Sequence, residues 1–125
     1  MIISFAWTTK PLLEGRKTVT RRDWTIGYLR KWQRAWDRGD LVHDAYNKLP
    51  FRGGKCVGKI RLLCRPYLER LGDMPEEDLE AEGGLWDSLE EFIDLQGGDA
   101  DAMFSVIRFR FIPIEKVNGQ MDLGL

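Results

Sequence analysis

Gly15-Arg16-Lys17-Thr18-Val19-Thr20-Arg21-Arg22 sets four cations and two hydroxyls directly behind a glycine, with a single apolar side chain among them. So much charge is costly to bury and makes a poor core strand. The alternation and the β-branched residues nevertheless suit a strand with one wet face. Strict alternation puts Lys17 and Thr20 on opposite faces, because they are three residues apart. They reach one pocket only if Lys17 lies in a turn after Gly15, or if a bulge resets the register. The stretch is therefore expected to turn over Gly15 to Lys17 and to become a regular strand near Thr18. Val19 and Arg21 then share one side, and Thr18, Thr20 and Arg22 the other. A cationic, hydroxyl-bearing strand beside a sharp turn suits an anionic or polar ligand. The alternative is an edge strand kept soluble by its charge.

Upstream, Ile2-Ile3-Ser4-Phe5-Ala6 reads as a short buried strand. Thr8 or Thr9 can cap a brief helix with Pro11 early in it, which Gly15 ends. Downstream, residues 25–37 read as a helix. Tyr28, Trp32 and Trp36 form one stripe on it, and Arg30, Arg34 and Arg38 a second, about 200° away. One reading buries the aromatics and solvates the arginines. The other gives phosphates to the arginines, or a base to an exposed tryptophan. Leu41-Val42-His43 begins another strand, 47–54 is a loop, and Lys55 to Tyr67 is one long strand with an apolar face.

The composition changes at Gly72. Asp73 and Pro75 open a short acidic helix to about Ala81, and Glu82-Gly83-Gly84 breaks it. Ser88 and Glu91 form a capping box for a second short helix, closed by Gly97-Gly98. Met103 to Ile114 is the last strand, and 117–125 is expected to be a loose tail. The order β-α-β-α-β-β-α-α-β, without a parallel βαβ series, argues for an α+β fold. The expected architecture is one domain over 1–116, on a small, partly closed mixed β-barrel flanked by short helices.

A length of 125 residues suits one domain, and 43% hydrophobic with 31% charged residues suits an ordinary soluble core. No apolar run approaches the roughly 20 residues of a membrane span, and the N-terminus does not read as a secretory leader. Cys56 and Cys64 sit eight apart in what reads as one strand. That spacing, at about 3.3 Å per residue, is too long for a disulfide and fits a reducing, cytoplasmic setting. A single histidine without a nearby cysteine cluster points to no metal site and no cofactor. The net charge of −1 hides an asymmetry. Residues 1–70 carry sixteen Lys and Arg against six Asp and Glu, whereas 71–125 carry three against fourteen. A basic region is the usual footprint of a phosphate-bearing partner, unless the two halves pair with each other in the fold.

The opening stretch resembles the signature of ASCH domains, relatives of the PUA-like RNA-binding barrels, whose pattern is Gly-x-Lys-x-x-Glu-x-Arg. Gly15, Lys17 and Arg22 match it, and Thr20 stands where the glutamate is usual. Ala81-Glu82-Gly83-Gly84, followed by Ser88-Leu89-Glu90-Glu91-Phe92, resembles the helical Glu-Gly segment before that family's last strand. One ASCH subgroup, small bacterial amidohydrolases acting on 4-acetylcytidine, carries Gly-Arg-Lys-Thr-hydrophobic-Thr-x-Arg-Asp, close to Gly15 through Asp23 here. This chain is longer, with a Trp-rich insertion at 24–38 and the loop at 47–54. The resemblance implies a catalytic set of Lys17, Thr20 and Glu82. It implies a ligand- or RNA-binding set of Arg16, Arg21, Arg22, Trp24, Arg30, Arg34 and Arg38. The partner it implies is RNA or a nucleotide- or nucleoside-like molecule.

Those residue types permit amide hydrolysis. Thr20 supplies a hydroxyl, Lys17 a base if burial or nearby cations lower its pKa, and Glu82 a path for the proton to the leaving amine. A charged Lys17 would instead polarise a carbonyl or hold a phosphate. A Lys17–Glu82 salt bridge closing the barrel mouth is the structural alternative. Three classes of function follow: hydrolysis of an acylated nucleoside, RNA binding with or without nuclease activity, and a non-enzymatic module that reads a nucleotide-like ligand.

Overall fold

The computed structural model describes residues 1–114, so the tail expected at 117–125 lies outside the described residues. In chain order the elements are β1 (Ile2–Ser4), α1 (Thr9–Leu13), β2 (Val19–Arg22), α2 (Ile26–Asp37), β3 (Val42–Tyr46), β4 (Cys56–Leu62), β5 (Tyr67–Arg70), α3 (Asp78–Ala81), α4 (Leu89–Leu95) and β6 (Met103–Pro113). Short 3₁₀ turns occupy Ala6–Thr8, Pro50–Arg52 and Leu71–Asp73. The strands follow the path β1-β3-β4-β6-β2, with β5 also on β6. β1 and β3 run parallel, and the other described pairs antiparallel.

The long β-branched and aromatic run of β6 serves two ladders. Its first half lies between β2 and β5, pairing Arg21 with Val106 and Tyr67 with Val106. Its second half pairs with β4, from Leu62 opposite Phe109 to Gly58 opposite Pro113. The sheet curls about this shared strand into half a barrel, a mixed α+β fold with a few short helices.

The single strand expected over 55–67 is two strands. Pro66 has no N–H to give to a ladder, and its carbonyl instead accepts from Gln33 Nε2 at 2.9 Å. The chain bends there and rejoins β6 as β5. Cys64 falls in this bend, off the strand that carries Cys56, and both thiols are free. The acidic helix is also shorter than its sequence suggests. A 3₁₀ turn takes Leu71–Asp73 and leaves one helical turn, Asp78–Ala81. Thr8 and Thr9 do not cap α1; their hydroxyls donate backwards, to the carbonyls of Phe5 and Ala6.

The aromatic stripe of α2 faces the main core. Trp32 is completely buried there with Phe5, Leu12, Ile60, Ile107 and Phe109, while Tyr28 and Trp36 pack at its edge. A second cluster of Leu71, Met74, Trp86, Phe92 and Phe104 seats α4. Ser88 Oγ accepts from Glu91 N at 3.1 Å to start that helix. No helix among the described residues is long and apolar enough to cross a membrane.

Candidate functional site

Gly15 ends α1 with φ +76, a left-handed conformation that favours glycine. The chain then folds back so that the amides of Arg16 and Lys17 both donate to Pro11 O, at 3.0 and 3.2 Å. Thr18 N donates to Ala81 O at 2.7 Å, which ties the start of β2 to the end of α3. Lys17 therefore precedes the strand, escapes its alternation and reaches the same cavity as Thr20.

Glu82, at the C-cap of α3, receives two cations. Lys17 Nζ donates to its carboxylate Oε1 at 3.1 Å and to its backbone carbonyl at 2.7 Å. Arg21 Nη1 donates to its Oε2 at 3.0 Å. Lys17 and Glu82 are 2% and 3% exposed, so this is a buried pair, whose desolvation is expensive. Arg21 goes further: its Nη2 reaches Glu69 Oε1 and Asp78 Oδ2, both at 2.7 Å. Asp78 in turn accepts two bonds from Arg108, and Arg108 Nε donates to the Tyr67 hydroxyl. Asp78 and Glu82 stand one helical turn apart, so a single guanidinium from β2 clamps both ends of α3.

On the other side of β2, Arg22 Nε donates to Thr20 Oγ1 at 3.1 Å, and its Nη2 to Ser4 O at 2.6 Å. Its guanidinium lies 5.4 Å from the centre of the Phe5 ring. Among the described residues it has no carboxylate partner and its Nη1 has no protein acceptor. These groups line a cavity of about 420 Å³, whose walls include Phe5, Trp7 and Trp86. Trp7 and Trp86 meet edge-to-face at 5.6 Å, and Trp7 is 61% exposed at the mouth.

The electrostatics follow from burial. Loss of water lowers the Lys17 amine below its usual 10.5, although Glu82 pulls it back upward. Burial also pushes Arg22 down to about 10, which leaves it a cation at neutral pH. For Asp78, burial acts upward, but the hydrogen bonds from Arg108 and Arg21 outweigh it and hold the carboxyl below 3.8. Asp78 therefore contributes stability above pH 3.8 that is lost as the pH falls through its depressed value. The urea midpoint of the unsubstituted chain is expected to fall more steeply below pH 3.8 than that of Asp78→Asn, which starts lower and stays flatter. Parallel curves would contradict this assignment.

The structure brings Lys17, Thr20, Arg21, Arg22 and Glu82 together. It places the other candidates elsewhere. Arg16 is on the surface, paired with Glu14 and Glu80. Trp24 packs beside the core, stacked on Trp32 at 5.4 Å. Arg30 lines a separate groove with Arg65 and Tyr67. Arg34 is exposed, and exposed Arg38 pairs with Asp40. The stripe on α2 and the cavity are thus different surfaces. Sequence reasoning missed Trp7 and the loop cations Lys48 and Arg52, which also line the cavity. It missed Glu69, Asp78 and Arg108 too, because their partners lie 30 to 57 residues away. Among the described residues, no group of three His, Cys, Asp or Glu side chains is arranged to hold a metal ion.

No family model and no curated protein matches the chain. In three dimensions it is similar to the crystal structure of protein EF3133 from Enterococcus faecalis V583, described as DUF984. The TM-score is 0.51 over 90% of this chain and 76% of that one, at 12% identity. A likeness at that identity shows the fold alone. The finer ASCH and PUA-like resemblance rests on the sequence motifs.

Proposed function

We propose that the cavity binds a nucleoside-like ligand: a nucleoside, a nucleotide or a nucleotide unit of RNA. The observation that carries this reading is the mixed lining of one cavity. Trp7 offers an exposed ring, buried Phe5 and Trp86 an apolar wall, and Lys17, Thr20, Arg22 and Glu82 charged and hydroxyl groups. Its volume of about 420 Å³ falls in the range of about 300–1,000 Å³ usual for small-molecule sites. Flat polar rings are recognised by this combination, stacking on aromatic faces and hydrogen bonding at their edges. The resemblance to ASCH domains supports the same ligand class. Calorimetric titration with the common nucleosides and their monophosphates is expected to show saturable binding of at least one. Arg22→Lys is expected to weaken it about tenfold, because an ammonium cannot hold Thr20, Ser4 and a ligand in one plane. Absence of saturable binding by all of them would overturn the reading.

A second reading, hydrolysis of an acylated nucleoside such as 4-acetylcytidine, is favoured by the hydrogen bonds of Lys17. Its amine places two N–H groups on Glu82, on the carbonyl and on Oε1. The remaining tetrahedral position holds either the third proton or a lone pair. Burial moves that choice toward the lone pair, as a general base requires. Thr20 Oγ1 accepts from Arg22, which leaves its own proton free to be removed. Removal of that proton by Lys17 lets Oγ1 attack the acyl carbon. The proton then passes to the leaving amine, and water hydrolyses the acyl-threonine.

A further inference from the structure

We propose that the mouth of the cavity is a phosphate site formed by Lys48 and Arg52, so that the ligand is a phosphorylated nucleoside rather than the bare one. This rests on the nucleoside reading of the same cavity and names its ligand more closely.

Charge is the first support. Among the described residues lining the cavity, Glu82 is the one carboxylate, and both its oxygens are occupied by Lys17 and Arg21. Lys48, Arg52 and Arg22 line the same cavity and form no ion pair among the described residues. Three cations of one cavity with no ion-pair partner among the described residues favour a ligand with about −1.5 to −2 charge, as a phosphate monoester carries at neutral pH.

The second support is that the loop carrying two of these cations is fixed in advance. Asn47 and Lys55 close its base, Asn47 N donating to Lys55 O and Lys55 N to Asn47 Oδ1. Arg52 N and Gly54 N both donate to Leu49 O. A side chain at Gly54 would put its Cβ 1.9 Å from Lys48 O, so the close return of the chain past Lys48 requires glycine. The Arg52 guanidinium lies against the Phe51 ring at 5.8 Å. The backbone carrying both cations is thus fixed before binding, and only their exposed side chains remain to be ordered.

The third support is in the neighbouring turn, where Phe5 N donates to Tyr46 O beside the start of the loop. Ala6, which lines the cavity, has φ +43, and it is the one non-glycine residue with positive φ among the described residues. Such strain costs about 1–3 kcal/mol and collects at ligand sites. Here it precedes Trp7, an exposed ring that lines the cavity. Phosphate on Lys48 and Arg52 and ring beside Trp7 together describe a nucleotide.

The phosphate can belong to a free nucleotide or to an RNA chain, and the test separates the two. Cytidine, cytidine 5′-monophosphate and a short single-stranded oligocytidylate are titrated into the protein and into the double variant Lys48→Ala, Arg52→Ala, with its fold checked by circular dichroism. The monophosphate is expected to bind about tenfold more tightly than cytidine, and the advantage to shrink as salt is raised. The double variant is expected to lose that advantage and to bind cytidine as before. An oligonucleotide that binds more tightly than the monophosphate, with the gain lost in the same variant, assigns the phosphate to RNA; equal or weaker binding assigns it to a free nucleotide. Equal affinity for cytidine and its monophosphate, or an advantage that survives in the variant, would overturn the phosphate site while leaving the nucleoside reading intact. No binding of any of the three, or of the other common nucleosides and their monophosphates titrated in the same way, would overturn both.

Discussion

Arg21→Met is expected to lower folding stability by about 3–5 kcal/mol, the penalty typical of removing one partner from a buried ion pair. Methionine fills much of the same space, so the loss comes from charge rather than from a cavity. The substitution strips one cation from three carboxylates: Glu69, Asp78 and Glu82. Asp78 keeps Arg108 and Glu82 keeps Lys17, but Glu69 has no other ion pair among the described residues, and α3 loses the clamp between its ends. Lysine is not an adequate replacement, because an ammonium does not reproduce the planar fork that spans Asp78 and Glu82. Arg70→Ala is the control. Its pairs with Asp73 and Asp101 are exposed, and such pairs are worth about 1 kcal/mol or less. Urea unfolding reads both variants as midpoint shifts at unchanged slope. A loss below about 1 kcal/mol for Arg21→Met would show that the network does not act as a unit.

The second large effect concerns Lys17. In the hydrolytic reading, Lys17→Met and Thr20→Val are each expected to lower the release of cytidine from 4-acetylcytidine by about 10²–10⁴-fold. Turnover of the unsubstituted chain is expected to rise with pH through the depressed pKa of Lys17, below the 10.5 of an ordinary lysine. Stability has a matching sign. Between the folded and unfolded pKa of Lys17 the unfolded chain binds more protons, so stability rises with pH across that window. Lys17→Met removes this contribution, so its stability is expected to rise less with pH. Glu82 keeps Arg21 in that variant, which is why its fold survives the substitution better than it survives Arg21→Met. Unchanged turnover in either variant would remove hydrolysis by these residues and leave the binding reading standing.

Several elements were readable from local pattern. The two stripes on α2, the turn after Gly15, the serine cap of α4 and the last strand each have a cause within a few residues. The turn mattered most, because it takes Lys17 out of the strand's alternation. The break at Pro66 was missed because the apolar alternation on either side of it looks continuous, although proline cannot feed a ladder. The Lys17–Glu82 pair was one of the alternatives open in the sequence, but the rest of the ion network was out of reach for a different reason: Arg21 meets carboxylates 48 to 61 residues away, and no local periodicity records that. Beyond that pair, its trace in the sequence is the charge asymmetry between the halves. Part of the basic half, Lys17 and Arg21, meets part of the acidic half, Asp78 and Glu82. Trp7 also misleads, since a tryptophan beside a buried strand suggests core and this one is exposed.

The most direct measurement is an amide nitrogen–proton correlation spectrum recorded while the common nucleosides and their monophosphates are added in turn. Shifts confined to the backbone around Phe5 to Thr8, Lys17 to Arg22, Lys48 to Arg52, Glu82 and Trp86 are the predicted result. A spectrum that does not move there, or one whose shifts gather along α2 at Arg30, Arg34 and Arg38, would contradict the assignment of this cavity as the ligand site.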